Sequence, residues 1–212
     1  MGNVVKILLG MLVVLAIVAG ITLLRSKAPA EAPYDGLMPK GEVSAEQLQA
    51  SVDSMRAKAE ASNPDMAKTD ALKAYVATES AKQFDDMGAR ERAFSAASMF
   101  WGFDYMNVRA RADYCRQRGV DLTPFVTAFL ATHRLERERS RAVAAAEGVD
   151  LDQQEAKVRE VIMGQVEQDM KDVALGAQIP VEKTCDLFNE NAEQLAAFIQ
   201  LPPHVKTALM AQ

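Results

Sequence analysis

Two cysteines, Cys115 and Cys185, stand about 70 positions apart in this chain of 212 residues, and it has no others. Their use constrains the fold more than any other feature. A metal site takes about four suitable donors. The chain's two histidines, His133 and His204, stand at no ligand spacing from each other or from the cysteines, so no metal is expected. A redox dithiol would show C-x-x-C, which is absent. Neither cysteine has the context of a nucleophile paired with His133 as base. Two buried thiols are the plain alternative, because cysteine is a common core residue. A structural disulfide fits best. Cys115 falls in the last turn of the third helical stretch and Cys185 early in the sixth. Two helix ends can approach to the ~5.5–6 Å Cα spacing that a disulfide needs. Closing such a loop would stabilise the fold by about 4 kcal/mol in the chain-entropy model.

The rest of the chain reads as all-α. Ala, Gln, Glu, Lys, Arg and Met are plentiful, and these favour helices. Val/Ile/Thr runs with period-2 alternation are missing, so strands are not expected. Hydrophobic residues make up 49% of the sequence, enough for one domain with a real core. About six helical stretches are predicted, packed as an antiparallel domain over residues 44–212. The first starts at Ser44, which caps it with Gln47 as a capping box, and carries Leu48, Val52, Met55 and Ala59 on one face. The second opens at Asn63-Pro64, with proline at the first helical position, and closes at Met87-Gly88. The third runs from about Ala89 to Arg118, the fourth from Thr123-Pro124 to about Glu147. The fifth starts near Asp150 or Asp152 and ends near Ala177. The sixth runs from Pro180 to about Gln200, with a short turn following.

Two joints repeat one pattern, "RQRGVDL" and "AAEGVDL". In each, glycine takes the left-handed position that closes a helix, valine packs back, and Asp or a nearby Thr caps the next helix. Tight joints of this kind fold successive helices into hairpins. In the third stretch Phe94, Met99, Phe100, Trp101, Phe103, Tyr105 and Met106 fall all around the helix. A helix apolar on every side is buried, so this one is expected to be the spine of the domain. In the fifth, Leu151, Val158, Val161 or Ile162, Val166, Met170 and Val173 form a single apolar stripe.

Ahead of the domain lies "ILLGMLVVLAIVAGITLL", residues 7–24, without a charge. At ~1.5 Å per residue it would span about 27 Å, close to the hydrocarbon thickness. Residues 1–27 are therefore read as a single-pass transmembrane signal-anchor that contacts the lipid bilayer through residues 7–24. The apolar run exceeds the ~7–15 residues usual for a cleaved signal peptide; secretion after cleavage is the alternative. Residues 28–43, with Pro29, Pro33, Pro39, Gly36 and Gly41, read as a semi-extended linker. Basic residues flank the span almost evenly (Lys6 against Arg25 and Lys27), so the positive-inside rule leaves orientation open. A disulfide would place the domain outside the cytoplasm. The expected location is the inner (cytoplasmic) membrane, with the domain on the periplasmic side.

Net charge is −5, which argues against a nucleic-acid partner. The densest charge run, "HRLERERSR", reads as a solvated helix face, with Arg134 and Glu138 attracting and Arg137 and Arg141 repelling at i, i+4. No phosphate loop, H-E-x-x-H or G-x-S-x-G pattern occurs. No catalytic residue and no cofactor are expected. The leading expectation is a membrane-anchored helical protein-interaction module: an accessory, scaffold or chaperone-like subunit of an envelope membrane complex, not an enzyme. The alternative is a small-ligand binder or enzyme with a pocket beside the aromatic and Met-rich third helix. Candidate interaction or pocket residues are Phe100, Trp101, Tyr105, His133 and Arg137, with Asp104, Asn107 and Arg109 as further polar groups. A groove on the surface would favour the first reading, and a pocket with converging polar groups the second.

Overall fold

Every regular element in the computed structural model is helical; it describes residues 45–66 and 68–211, with no strand among them. The apolar run 7–24, the linker 28–43 and the Ser44 cap lie outside the described residues. Among the described residues, no helix is long and apolar enough to cross a membrane.

The first two helices are α1 (Ala45–Ser62) and α2 (Lys68–Asp85), which pack on each other. Asn63 differs from its expected role. Its side-chain amide and backbone N–H both donate to the Ala59 carbonyl. It thus closes α1, whose last carbonyls need partners, and α2 begins only at Lys68.

The third stretch is the spine. It comprises α3 (Ala89–Tyr105), a π-helical turn (Met106–Ala110) and α4 (Arg111–Arg116). Every residue from Ser95 to Phe103 is buried. Phe100, Phe103 and Met106 are at most 1% exposed, as a helix apolar all round requires. The expected fourth stretch is two helices, α5 (Thr123–Thr132) and α6 (Arg134–Ala146), separated at His133 (φ −105°, ψ 22°). The break lets them serve different partners. The π turn receives α5, and α6 lies along α3, so this part returns antiparallel to the spine. Ser140 fixes that approach by donating to the Ala97 carbonyl at 2.8 Å.

After a short 3-10 turn (Leu151–Gln154), α7 (Glu155–Ala177) does not fold back on α6. It crosses to the π turn and α4, and α1 packs on it. The second joint is therefore a corner and not a hairpin. Its apolar stripe, Val158, Val161, Ile162, Val166, Met170 and Val173, is buried as the spacing requires. The expected sixth stretch splits into a 3-10 turn (Val181–Lys183), α8 (Thr184–Glu190) and α9 (Ala192–Phe198). Asn191 makes the split, donating to the Leu187 carbonyl at 2.9 Å. The short last turn is a full helix, α10 (Pro203–Met210), against α3 and α6.

Both glycine joints take the expected geometry. Gly119 (φ 77°) and Gly148 (φ 68°) are left-handed. Val120 N–H donates to the Cys115 carbonyl and Val149 N–H to the Ala144 carbonyl, closing each helix end. Asp121 caps at Thr123 and Asp150 at Asp152. A third joint of this kind has no glycine in the critical place. Gln178 itself is left-handed (φ 56°), and Ile179 N–H reaches the Ala174 carbonyl.

Cys115 and Cys185 form a disulfide, with Cα atoms 5.7 Å apart. It ties the end of the spine to the start of α8. One turn before Cys115, the guanidinium of Arg111 lies 4.7 Å from the ring centre of Phe188 on α8. A covalent bond and a cation–π contact thus hold the same two elements. Arg111 is fully buried and pairs with buried Asp169 of α7 at 2.7 Å. Its Nε and Nη2 have no hydrogen-bond partner, nor does Oδ1 of nearby Asn107.

Candidate functional site

The spine and α6 face each other along their length, and the two sides of this contact open into two different concavities. The first lies toward the C-terminal half of α3. It is a cleft of about 330 Å³ lined by Phe100, Trp101, Asp104, Tyr105 and Arg109 from the spine and Arg137, Ser140, Arg141, Ala144 and Ala145 from α6. Val149, Asp150, Leu151 and Asp152 of the following joint complete it. Four of the five residues singled out from sequence therefore meet here: Phe100, Trp101, Tyr105 and Arg137.

Aromatic rings form the base. Trp101 stacks on Tyr105 with ring centres 5.5 Å apart and planes 17° apart. Their i, i+4 spacing on α3 puts them on one face. Arg137 donates to Asp104 Oδ2 at 2.6 Å across the α3–α6 contact. Burial raises the proton affinity of Asp104 above the usual carboxylate range, even against the attraction of Arg137, Arg141 and Arg109. Oδ1 of Asp104 and Nε of Arg137 are both buried without partners. On the rim, Arg109 bridges Glu155 and Asp152. Tyr105 donates its hydroxyl toward Glu155. Burial and that carboxylate push the phenol up to about 12.

His133 lies elsewhere. Its ring is wedged between Phe103 and Phe129 and its Nε2–H donates to the Ile199 carbonyl at 2.9 Å. Burial lowers its pKa and favours the neutral ring. It is a satisfied core histidine at the break between α5 and α6. Asn107 is also in the core, donating to the Phe103 carbonyl.

The second concavity went unnoticed in the sequence. It is a groove of about 790 Å³ bounded by α2, the start of α3, α6 and α10. Its floor holds buried Phe84, Ala93, Val143 and Ala208, and exposed Ala89, Ala142, Ala146 and Ala211 form much of its wall. Arg90 on α3 spans to Glu147 at the end of α6 through two hydrogen bonds of 2.7 and 3.0 Å. Arg139 donates to the Leu209 carbonyl. The legible signal was Ala89/Ala93 and Ala142/Ala146, two small-residue pairs at i, i+4, which leave a strip of low relief on each helix.

Groove-lining His204 has its Nε2 2.7 Å from Ser80 Oγ, an arrangement reminiscent of a nucleophile and its base. Ser80 is fully buried, lies outside the groove lining, and donates to the Val76 carbonyl at 2.7 Å. The histidine N–H therefore donates to Ser80, and the pair locks α10 onto α2. No substrate atom reaches that oxygen.

Among the described residues, no group of three or more His, Cys, Asp or Glu is placed to hold a metal ion. Against protein-family models, curated proteins and solved structures the chain finds no match.

Proposed function

We propose that the protein is a membrane-anchored interaction module whose helical domain, on the extracytoplasmic side, receives a helix of a partner protein in the alanine-walled groove. The groove carries this reading. It is more than twice the volume of the aromatic cleft (about 790 against about 330 Å³). Alanine walls let a partner backbone approach closely, and an amphipathic helix buries its apolar face in such a channel. Arg90, Arg92 and Arg139 outnumber Asp85 and Glu147 along it, which favours a helix with an acidic flank. The large exposed apolar residues among the described residues, Met66, Leu135, Leu175 and Met210, lie outside the groove, whose own apolar surface comes from alanines and the edges of buried side chains. The disulfide supports the extracytoplasmic side, and the apolar run 7–24 supports the anchor. Such a domain would serve as an accessory, scaffold or chaperone-like subunit of an envelope complex.

A photoreactive side chain at Ala142 of the full-length protein in intact cells tests this. The expected result is one discrete adduct with a membrane protein, lost when Ala89→Arg is added across the groove and not formed from Leu175 on α7. Equal adducts from Ala142 and Leu175, or persistence with Ala89→Arg, would show that the groove is not the docking face.

A further inference from the structure

We propose that the chain's own segment 31–38, "EAPYDGLM", occupies the alanine-walled groove until a partner displaces it. The proposal rests on the groove being a docking face and adds how access to it is controlled. The segment lies outside the described residues; what brings it to the groove is the place where the described chain begins. α1 and α2 are joined by the short connection 63–67 and pack on each other. Lys68, at the start of α2, pairs with Glu60 in the last turn of α1 at 3.1 Å. The two helices are therefore antiparallel, and the start of α1 lies beside the end of α2. Ala81, Phe84 and Asp85, at that end of α2, line the groove. Packed helices stand ~8–10 Å apart. Met38 precedes Ala45 by seven residues, a reach of ~23–25 Å. The segment is thus tethered close to the groove, with length to spare.

Its chemistry matches what the groove offers. Glu31 and Asp35 are the segment's only charged residues, and both are acidic. Along the groove Arg90 and Glu147 satisfy each other, which leaves Arg92 and Arg139 against the single carboxylate of Asp85. Each of those two guanidiniums is fixed by a carbonyl at a helix end, Arg92 by Met87 after α2 and Arg139 by Leu209 of α10. Opposite charge on the two surfaces favours this pairing and its register. Tyr34, Leu37 and Met38 supply apolar side chains for the floor of Phe84, Ala93, Val143 and Ala208. Pro33 and Pro39 bracket them; proline restricts the free chain and so lowers the entropy lost on docking. A tether this short sets an effective concentration of about 1 mM, so a contact with a Kd of about 1 mM is about half occupied. A second copy has no such advantage. A partner helix does displace the segment, because it lays a continuous apolar face in the channel, which a proline-bracketed strand cannot match.

A photoreactive side chain at Leu37 of the purified full-length protein in detergent tests this with no partner present. The expected product is an adduct within one chain, mapped by mass spectrometry to residues 84–93, 139–147 or 203–211, with a yield independent of protein concentration. Glu31→Lys with Asp35→Lys is expected to lower that yield about fivefold, as reversal of two rim charges implies. Lys40→Gln, outside the segment, should leave it unchanged. An adduct between two copies, an adduct outside those three stretches, or a yield indifferent to the charge reversal would each overturn the proposal. In intact cells, where Ala142 captures its partner, replacing residues 31–38 by Gly and Ser at equal length is expected to raise that capture about twofold, as removing a half-occupying competitor implies. Unchanged or weaker capture would refute displacement. The two readings fail separately. A groove adduct from Leu37 with no partner adduct from Ala142 upholds the segment and sinks the partner; a partner adduct without a groove adduct from Leu37 sinks the segment alone.

Discussion

Arg111 and Asp169 are the two most consequential side chains in the interior. A buried charge is tolerated only with a partner, and theirs cross from the spine to α7 at 2.7 Å. Burial pushes Asp169 up to about 6, more than Arg111 can draw it down. Its folded pKa thus lies above the ~3.9 of an unfolded aspartate. Between those values the folded protein holds a proton that the unfolded chain lacks. The group's contribution to stability is greatest below that window and declines as pH rises through about 6. Arg111→Met removes the attraction and leaves a bare buried carboxylate. At pH 7.5 this is expected to cost about 3–5 kcal/mol in urea unfolding. At pH 5 the loss should shrink, because Asp169 then carries its proton. An equal loss at both pH values would mean that Arg111 acts through packing alone.

At the scale of elements, what was legible followed from local chemistry. The left-handed glycines at 119 and 148, the caps at Asp121 and Asp150 and the buried stripe of α7 each depend on residues within one or two turns. What was not legible depends on distant partners. His133 is neither proline nor glycine, yet the helix breaks there because its ring is held by Ile199 and because α5 and α6 pack on different parts of the spine. The π turn at Met106–Ala110 likewise has no local breaker. Gln178 was missed because glycine is the usual residue in that conformation. It offers a direct test of backbone strain. Gln178→Gly should stabilise by about 0.5–1 kcal/mol, since a left-handed non-glycine residue costs ~1–2 kcal/mol and glycine returns part of that through chain entropy. Gly119→Ala should destabilise by about 1 kcal/mol. A Cβ there meets nothing within 4 Å, so any loss reports the backbone and not a clash. Thermal or urea unfolding of both variants decides it; a destabilised Gln178→Gly would contradict the account.

For the molecule as a whole, the disulfide was readable from two cysteines and their positions in the helices, because only a short list of uses competes for such a pair. The aromatic cleft was half readable. Residue types on the third helix pointed to it, but His133, chosen for its chemistry, belongs to the core. Of the groove only the alanine pairs at 89/93 and 142/146 were readable; the four helices that bound it meet only in tertiary structure, and alanine is the least distinctive side chain to flag a wall. Replacing both cysteines by alanine should lower stability by about 4 kcal/mol. In intact cells, alkylation under denaturing conditions should add two labels only after reduction. Two labels without reductant would remove the bridge and, with it, the support for an extracytoplasmic domain.

The bridge also sets how the domain would carry mechanical load. Its two ends lie in α4 and α8, and everything between them, including α5, α6 and α7, sits inside the loop that it closes. Tension applied between α1 and α10 passes along the spine, across the sulfur–sulfur bond and out through α9. The enclosed helices are bypassed as covalent carriers of force. Such a pull loads α1, α2, α9 and α10 through the backbone, while the enclosed α6 wall of both the groove and the cleft is left out of the covalent force path.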